Sequence, residues 1–199
     1  MGYVFQNADT QLFCGSVEEE IAFGPVQMGL SDAEVHERTE DCLKLFGIEK
    51  LRERPPYHLS GGEKRKVSLA CIISLNPEVL ILDEPTAGLD PAGRTEILEL
   101  LQRLHRERNI AVILVSHSMD DVARYAERIL VMNQGELVLD GAPEKVFRYR
   151  KELREIGLDV PQSTNILYEL RDRGMDLDVN GITPEQAAQN IADYLRRQS

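Results

Sequence analysis

Two hydrophobic periods alternate along the chain. Val79-Leu80-Ile81-Leu82 and Ile110-Ala111-Val112-Ile113-Leu114-Val115 are short unbroken apolar runs, as expected of parallel strands covered on both faces. Between them, from about Pro91 to Glu107, Ile97, Leu98, Leu101 and Leu104 recur at helical spacing, and a second helix follows the later strand through Tyr125. Strand, helix, strand, helix predicts a mostly parallel α/β sheet. Met1 to Phe5 read as the tail of a further short strand. Ile129 to Met132 and Glu136 to Leu139, joined by Asn133-Gln134-Gly135, read as a hairpin extending the sheet at one edge.

Between the first strand and the Val79 run, the punctuation is helical. Ser16-Val17-Glu18-Glu19 and Ser31-Asp32-Ala33-Glu34 are capping boxes, the second opening a helix whose Val35, Cys42, Leu43 and Phe46 fall largely on one face before Gly47. Pro55-Pro56 breaks the chain, and a helix from about Gly61 to Leu75 carries Val67, Leu69, Ala70, Ile72 and Ile73 until Asn76-Pro77 stops it. Beyond about Lys151 the character changes. Val160-Pro161 opens a helix to Arg173. Thr183-Pro184-Glu185-Gln186 opens a last one with Ala187, Ala188, Ile191 and Leu195 on its apolar face. So small a segment buries little alone and must pack on the main domain or on a partner.

Composition narrows the classes. The 199 residues are 42% hydrophobic, enough for a core, and the net charge of -11 argues against a nucleic-acid surface. No run reaches the roughly 18 apolar residues of a membrane span, and no signal peptide opens the chain; a soluble, cytosolic protein is expected. Cys14, Cys42 and Cys71 are far apart without a C-x-x-C pair, suggesting neither a disulfide framework nor a zinc site; Cys42 and Cys71 read as core thiols.

The chemistry concentrates at two places. Leu59-Ser60-Gly61-Gly62-Glu63 is a glycine-rich turn entering a helix, where free N–H groups and the helix dipole favour an anion. The Val79 strand ends in Asp83-Glu84, suited to holding Mg²⁺ and activating water. Each alone has a plainer reading, a capped helix and a solvated strand end. Their order, with Ala87-Gly88-Leu89-Asp90 directly after and Ser116-His117 closing the next strand, carries more information than either.

In that combination the sequence resembles the nucleotide-binding subunit of ATP-binding-cassette (ABC) transporters. Leu59 to Glu63 match the signature motif, Val79 to Glu84 the Walker B strand, Ala87 to Asp90 the D-loop, His117 the switch histidine, and Gln6, 54 residues before Ser60, the Q-loop glutamine. Further stretches, from Phe5 to Phe13, Ile21 to Pro25, Arg54 to His58 and the tail from Gly157, are similar to the energy-coupling-factor group that powers cobalt, nickel and vitamin uptake. The resemblance implies a P-loop NTPase fold, with an ATPase domain over 1–150, a helical subdomain over about 16–75, and an α-rich dimerisation domain over 151–199. It implies ATP and Mg²⁺ as cofactors. Asp83 and Gln6 would serve the metal, and Glu84 would be the general base with His117 and Gln6 in the catalytic set. Ser60, Gly61, Gly62 and Asp90 would serve the nucleotide site. The implied partners are a second ABC ATPase subunit, a transmembrane coupling subunit and a substrate-capture membrane subunit, at the cytoplasmic face of the membrane.

One departure stands against these matches. The family's Walker A loop, G-x-x-x-x-G-K-[ST], cradles the phosphates, yet the sequence has no Gly-Lys dipeptide and only five residues precede Gln6. The expectation is an N-terminally truncated subunit, inactive alone; an internal start codon, a misplaced gene start and a frameshift each account for it. Rival readings are a non-catalytic dimerisation or regulatory remnant and an ATPase of another ABC transporter class. A DNA-repair or chromosome-structuring ATPase predicts a long coiled coil and a basic surface, and neither is present.

Overall fold

A computed structural model describes residues 1–4 and 12–198. They divide into two compact units, residues 1–115 and 116–199.

The first unit is built on three parallel strands, β1 (Gly2–Val4), β2 (Val79–Asp83) and β3 (Ala111–Val115), in that order. β2 is central, pairing Leu80 with Gly2 and Val112, and Leu82 with Val4 and Leu114. Leu80 and Leu82 are fully buried, as the continuous apolar run requires. β3 departs from the expectation of two covered faces. Among the described residues it is an edge strand, as β1 is, and Ala111, Ile113 and Val115 alternate outward into exposed positions.

Helices α1 (Val17–Gln27), α2 (Asp32–Phe46) and α3 (Gly61–Ile73) lie in the chain between β1 and β2. Val17, Ile21, Cys42, Leu43, Phe46, Val67, Leu69 and Ala70 share one core with Leu80 and Leu82. Cys42 is buried in it, and Cys71 is half-buried against it. α2 and α3 open with full capping boxes. Ser31 and Ser60 accept from the N–H of Glu34 and Glu63, whose carboxylates return to the serine N–H at 3.0 and 2.8 Å. At α1 the box is one-sided: Ser16 accepts from the Glu19 N–H, but Glu19 turns back to the N–H of Gly15. Arg52 ties α1 to α2 by bonding Glu18 of the first and Glu40 of the second. α4 (Pro91–Arg108) buries Ile97, Leu98, Leu100, Leu101 and Leu104 and ends on Asn109 in the left-handed region.

In the second unit α5 (Met119–Tyr125) is followed by β4 (Ile129–Asn133) and β5 (Glu136–Gly141), which pair antiparallel. The expected hairpin forms, but among the described residues it is a two-stranded sheet of its own and does not extend the parallel sheet. Leu130 and Met132 on β4 and Leu137 on β5 stand exposed. α6 (Pro143–Val146) and α7 (Arg150–Glu155) pack Val146, Phe147 and Leu153 with Val131, Val160 and Ile182. α8 (Gln162–Asp172) and α9 (Pro184–Gln198) close a small core of Leu167, Leu177 and Ala187. The packed face of α9 is rotated from the one expected: Ala187, Ile191 and Tyr194 face this core, while Ala188 and Leu195 are exposed. Tyr194, seven residues after Ala187, holds the place given to Leu195, one position further round the helix. Its cap is as read, Thr183 Oγ1 accepting from Gln186 N–H and Gln186 returning to Ile182 and Thr183.

Two outcomes follow from this packing. A Cβ at Gly181 would lie 3.0 Å from the Ala187 backbone nitrogen and 2.8 Å from Leu167, and the Gly181 carbonyl accepts from buried Thr164 Oγ1 at 3.0 Å. Gly181→Ala should therefore destabilise the second unit by about 1–3 kcal/mol, read as a lowered midpoint in thermal or urea unfolding. The second outcome concerns pH. Bonds to Ser60 hold the Glu63 carboxyl below its ordinary range, and bonds to Ser31 do the same for Glu34. A depressed folded pKa contributes stability above the unfolded value and loses it as pH falls through the folded one. The unfolding midpoint should drop on acidification through and below the ordinary carboxylate range, and Glu34→Gln with Glu63→Gln should flatten that slope.

Candidate functional site

The start of α3 is arranged around Ser60. Its side chain takes the Glu63 N–H and donates to Glu63 Oε2 at 2.9 Å, leaving Gly61 and Gly62 as the first helical residues with their N–H groups at the helix mouth. Neither glycine has a positive φ, and a Cβ on either would meet nothing within 4 Å. Backbone conformation and packing inside the chain thus do not require glycine here. Bare backbone at an open helix N-terminus is what close approach of an anionic ligand requires.

At the end of β2 the half-buried carboxylates of Asp83 and Glu84 follow the two fully buried leucines. Glu84 adopts φ 46°, a left-handed conformation unfavourable to a residue with a Cβ. It is fixed there on both sides: its N–H donates to Val115 O at 3.0 Å and its carbonyl accepts from Ala87 N–H at 3.1 Å. The strain belongs to the residue whose side chain carries the proposed chemistry. Gly88 turns the following loop with φ 75°, and Asp90 caps α4 by accepting from Gly93 N–H at 2.7 Å. Asp90 therefore has a structural task in addition to the nucleotide-site role implied by resemblance.

His117 is exposed and is the second residue of the second unit, in a turn where Ser116 Oγ accepts from Ser118 N–H and Ser118 caps α5. Gln6 lies outside the described residues. The first unit thus brings the signature residues, Asp83, Glu84 and Asp90 into one compact body, and His117 belongs to the other.

Asp83 and Glu84 present hard oxygen donors fitting Mg²⁺, which takes one or two protein carboxylates and completes its shell with phosphate and water. Among the described residues no group of three acidic, histidine or cysteine side chains converges as a closed metal cage. For ATP itself the residues fit only in part. Signature and Walker B are present, whereas the sequence offers no lysine-bearing phosphate loop.

Near the start of α3 a cleft of about 290 Å³ is lined by Leu12, Phe13, Cys14, Pro56, Tyr57 and Lys64. Phe13 and Tyr57 are 69% and 71% exposed, and Phe13 meets Phe23 edge-on at 5.0 Å. Leu12, Phe13 and Phe23 fall within the stretches similar to the energy-coupling-factor group, whereas sequence reasoning missed Glu20, a carboxylate only 4% exposed that holds the chain at Phe13 and Cys14. A signal was available: Glu20 follows Val17 by three positions and precedes Gly24 by four, on the buried stripe of α1.

Comparison with known proteins bears on these arrangements. Residues 3–120 match a family model described as "AAA domain, putative AbiEii toxin, Type IV TA system". The energy-coupling factor transporter ATP-binding protein EcfA2 of Caldanaerobacter subterraneus subsp. tengcongensis is 47% identical over 98% of this chain and 69% of its own length. Its counterpart in Clostridioides difficile is 44% identical, with the same coverage of each chain. A solved structure of cbiO1 from Clostridium perfringens, described as part of the ABC transporter complex cbiONQ, is 42% identical. It superposes with a TM-score of 0.70 over 78% of this chain and 62% of that one. Signature, strand-end carboxylates, parallel sheet and whole-chain similarity lead to one conclusion: the chain belongs to the energy-coupling factor transporter ATP-binding proteins, a family of ABC-type ATPases.

Proposed function

We propose that this chain supplies half of a composite ATP site in an ATPase dimer that drives uptake of cobalt, nickel or a vitamin through a membrane complex. The observation that carries the reading is the bare start of α3, where Gly61 and Gly62 are required neither by φ nor by packing. That surface serves a ligand held from outside the unit. Ser60 Oγ and the N–H groups of Gly61 and Gly62 would donate to the terminal phosphate of ATP bound on a second subunit.

On its own side, Asp83 would hold Mg²⁺, which when bound neutralises phosphate charge. Glu84 would accept the proton of the attacking water, its carboxylate aimed by the strained turn that fixes its backbone. His117 would donate to the terminal phosphate, and the Gln6 amide would orient the water. Phosphoryl transfer relies on positioning and charge stabilisation, so a chain without the lysine cradle lacks a large share of both. Residues 1–150 serve as the ATPase domain and 151–199 as a dimerisation domain, a role favoured by the exposure of Ile166 on α8 and Leu195 on α9. No helix among the described residues is long and apolar enough to cross a membrane. The chain works as a peripheral subunit on the cytoplasmic face, with the cleft lined by Leu12 and Phe13, and Phe23 beside it, receiving a helix of the transmembrane coupling subunit.

Expressed as these 199 residues, the chain should show no steady ATPase activity; a rate abolished by Glu84→Gln would overturn this. Mixed with an intact homologous subunit, it should associate in the presence of Mg-ATP and dissociate without it, as read by size-exclusion chromatography. Ser60→Arg should abolish that association by filling the open helix mouth, and nucleotide-independent behaviour of both proteins would refute the half-site.

A further inference from the structure

Glu20 lies in the first two turns of α1 between fully buried Val17 and Ile21. Its Oε2 accepts from the N–H groups of both Phe13 and Cys14, at 2.9 and 2.6 Å, while neighbouring Glu19 accepts from Gly15 at 3.1 Å. Three consecutive backbone donors are thus drawn onto the start of one helix. An ionised carboxylate among apolar side chains is unfavourable unless fully bonded. Here two charge-assisted bonds and the positive end of α1 meet that requirement.

What this buried charge fixes is an exposed aromatic surface. Phe13 lies mostly in solvent, edge-on to Phe23, at the mouth of the cleft shared with Tyr57 and Lys64. The ring of an exposed Phe13 gains little from being held still within this chain. A binding surface does gain, because a fixed ring loses less freedom when a partner closes on it. The clamp lies at the backbone of Phe13 itself, so Glu20 sets where the ring is rooted, and the edge-on contact with Phe23 sets its plane.

We propose that Glu20 is a positioning residue for docking to the transmembrane subunit: its carboxylate fixes the Phe13 and Cys14 backbone and presents the Phe13–Phe23 pair preformed to an apolar helix of that subunit. This rests on the reading of the cleft as the coupling surface. Glu20 also leaves a local mark. Burial, followed by the Glu20 charge and hydrogen bond, pushes the Cys14 thiol up to about 11, so the thiol reports whether the clamp is closed.

The test is a double-mutant cycle on association with the transmembrane coupling subunit of the same transporter, purified in detergent, using Glu20→Gln, Phe13→Ala and both together. Each single change should weaken association about tenfold, and the pair should be no weaker than the worse single. In the free chain Glu20→Gln should speed iodoacetamide labelling of Cys14 severalfold while buried Cys42 stays protected, a result that general unfolding would not give. An unchanged affinity for Glu20→Gln, or effects of the two changes that multiply independently, would overturn the clamp while leaving the docking surface standing. An unchanged affinity for Phe13→Ala would remove the docking surface and the proposal with it. Should Glu20→Gln also expose Cys42, Glu20→Asp, which keeps the charge but shortens its reach, enters the same cycle and is judged by the same outcomes.

Discussion

The structure depends on β2 being dry along its length and wet at its end. Leu80 and Leu82 are out of water, held between β1 and β3 and covered by the core that α1 to α4 complete. That burial gives the strand a single register, because a slip of one residue would turn both leucines out and Ile81 and Asp83 in. The carboxylates are positioned by the same constraint. Asp83 is the last paired residue, opposite Val115, and Glu84 begins where the ladder gives way to a turn.

Much of this was legible in the sequence, because local rules and global fold agree over α2, α3, β2 and α4. Ser31 and Ser60 cap as their spacing demands, Gly47 ends α2 in the left-handed region, and the helical apolar positions of α4 are buried. Local patterning could not tell which apolar runs become edges. Ile113 and Val115 read as doubly covered, yet lie exposed on β3; β4 and β5 read as an extension, yet pair only with one another among the described residues. Sheet order is decided by contacts distant in sequence, and a five-residue run carries no record of its neighbours.

The candidate site divides in the same way. Residue types and order located the signature and the acid pair, since both are contiguous in sequence. The left-handed turn at Glu84 and the buried carboxylate of Glu20 were not legible, since one is a backbone state and the other a matter of which acid in the run Glu18-Glu19-Glu20 faces inward. Glu18 goes to Arg52, Glu19 to Gly15 and Glu20 to Phe13 and Cys14. Three identical side chains in succession have three different tasks, separated only by the 100° that each residue turns about a helix.

The turn at Glu84 has an evolutionary consequence. A residue held at φ 46° would be more comfortable as glycine or asparagine, which adopt that conformation at lower cost. Random mutation therefore has a route at this position towards a sturdier protein that has lost its acid. Under the general-base role proposed for Glu84, retaining glutamate there makes the position one where selection for thermal stability and selection for chemistry pull in opposite directions. A stability-driven redesign of this protein would erase the acid first.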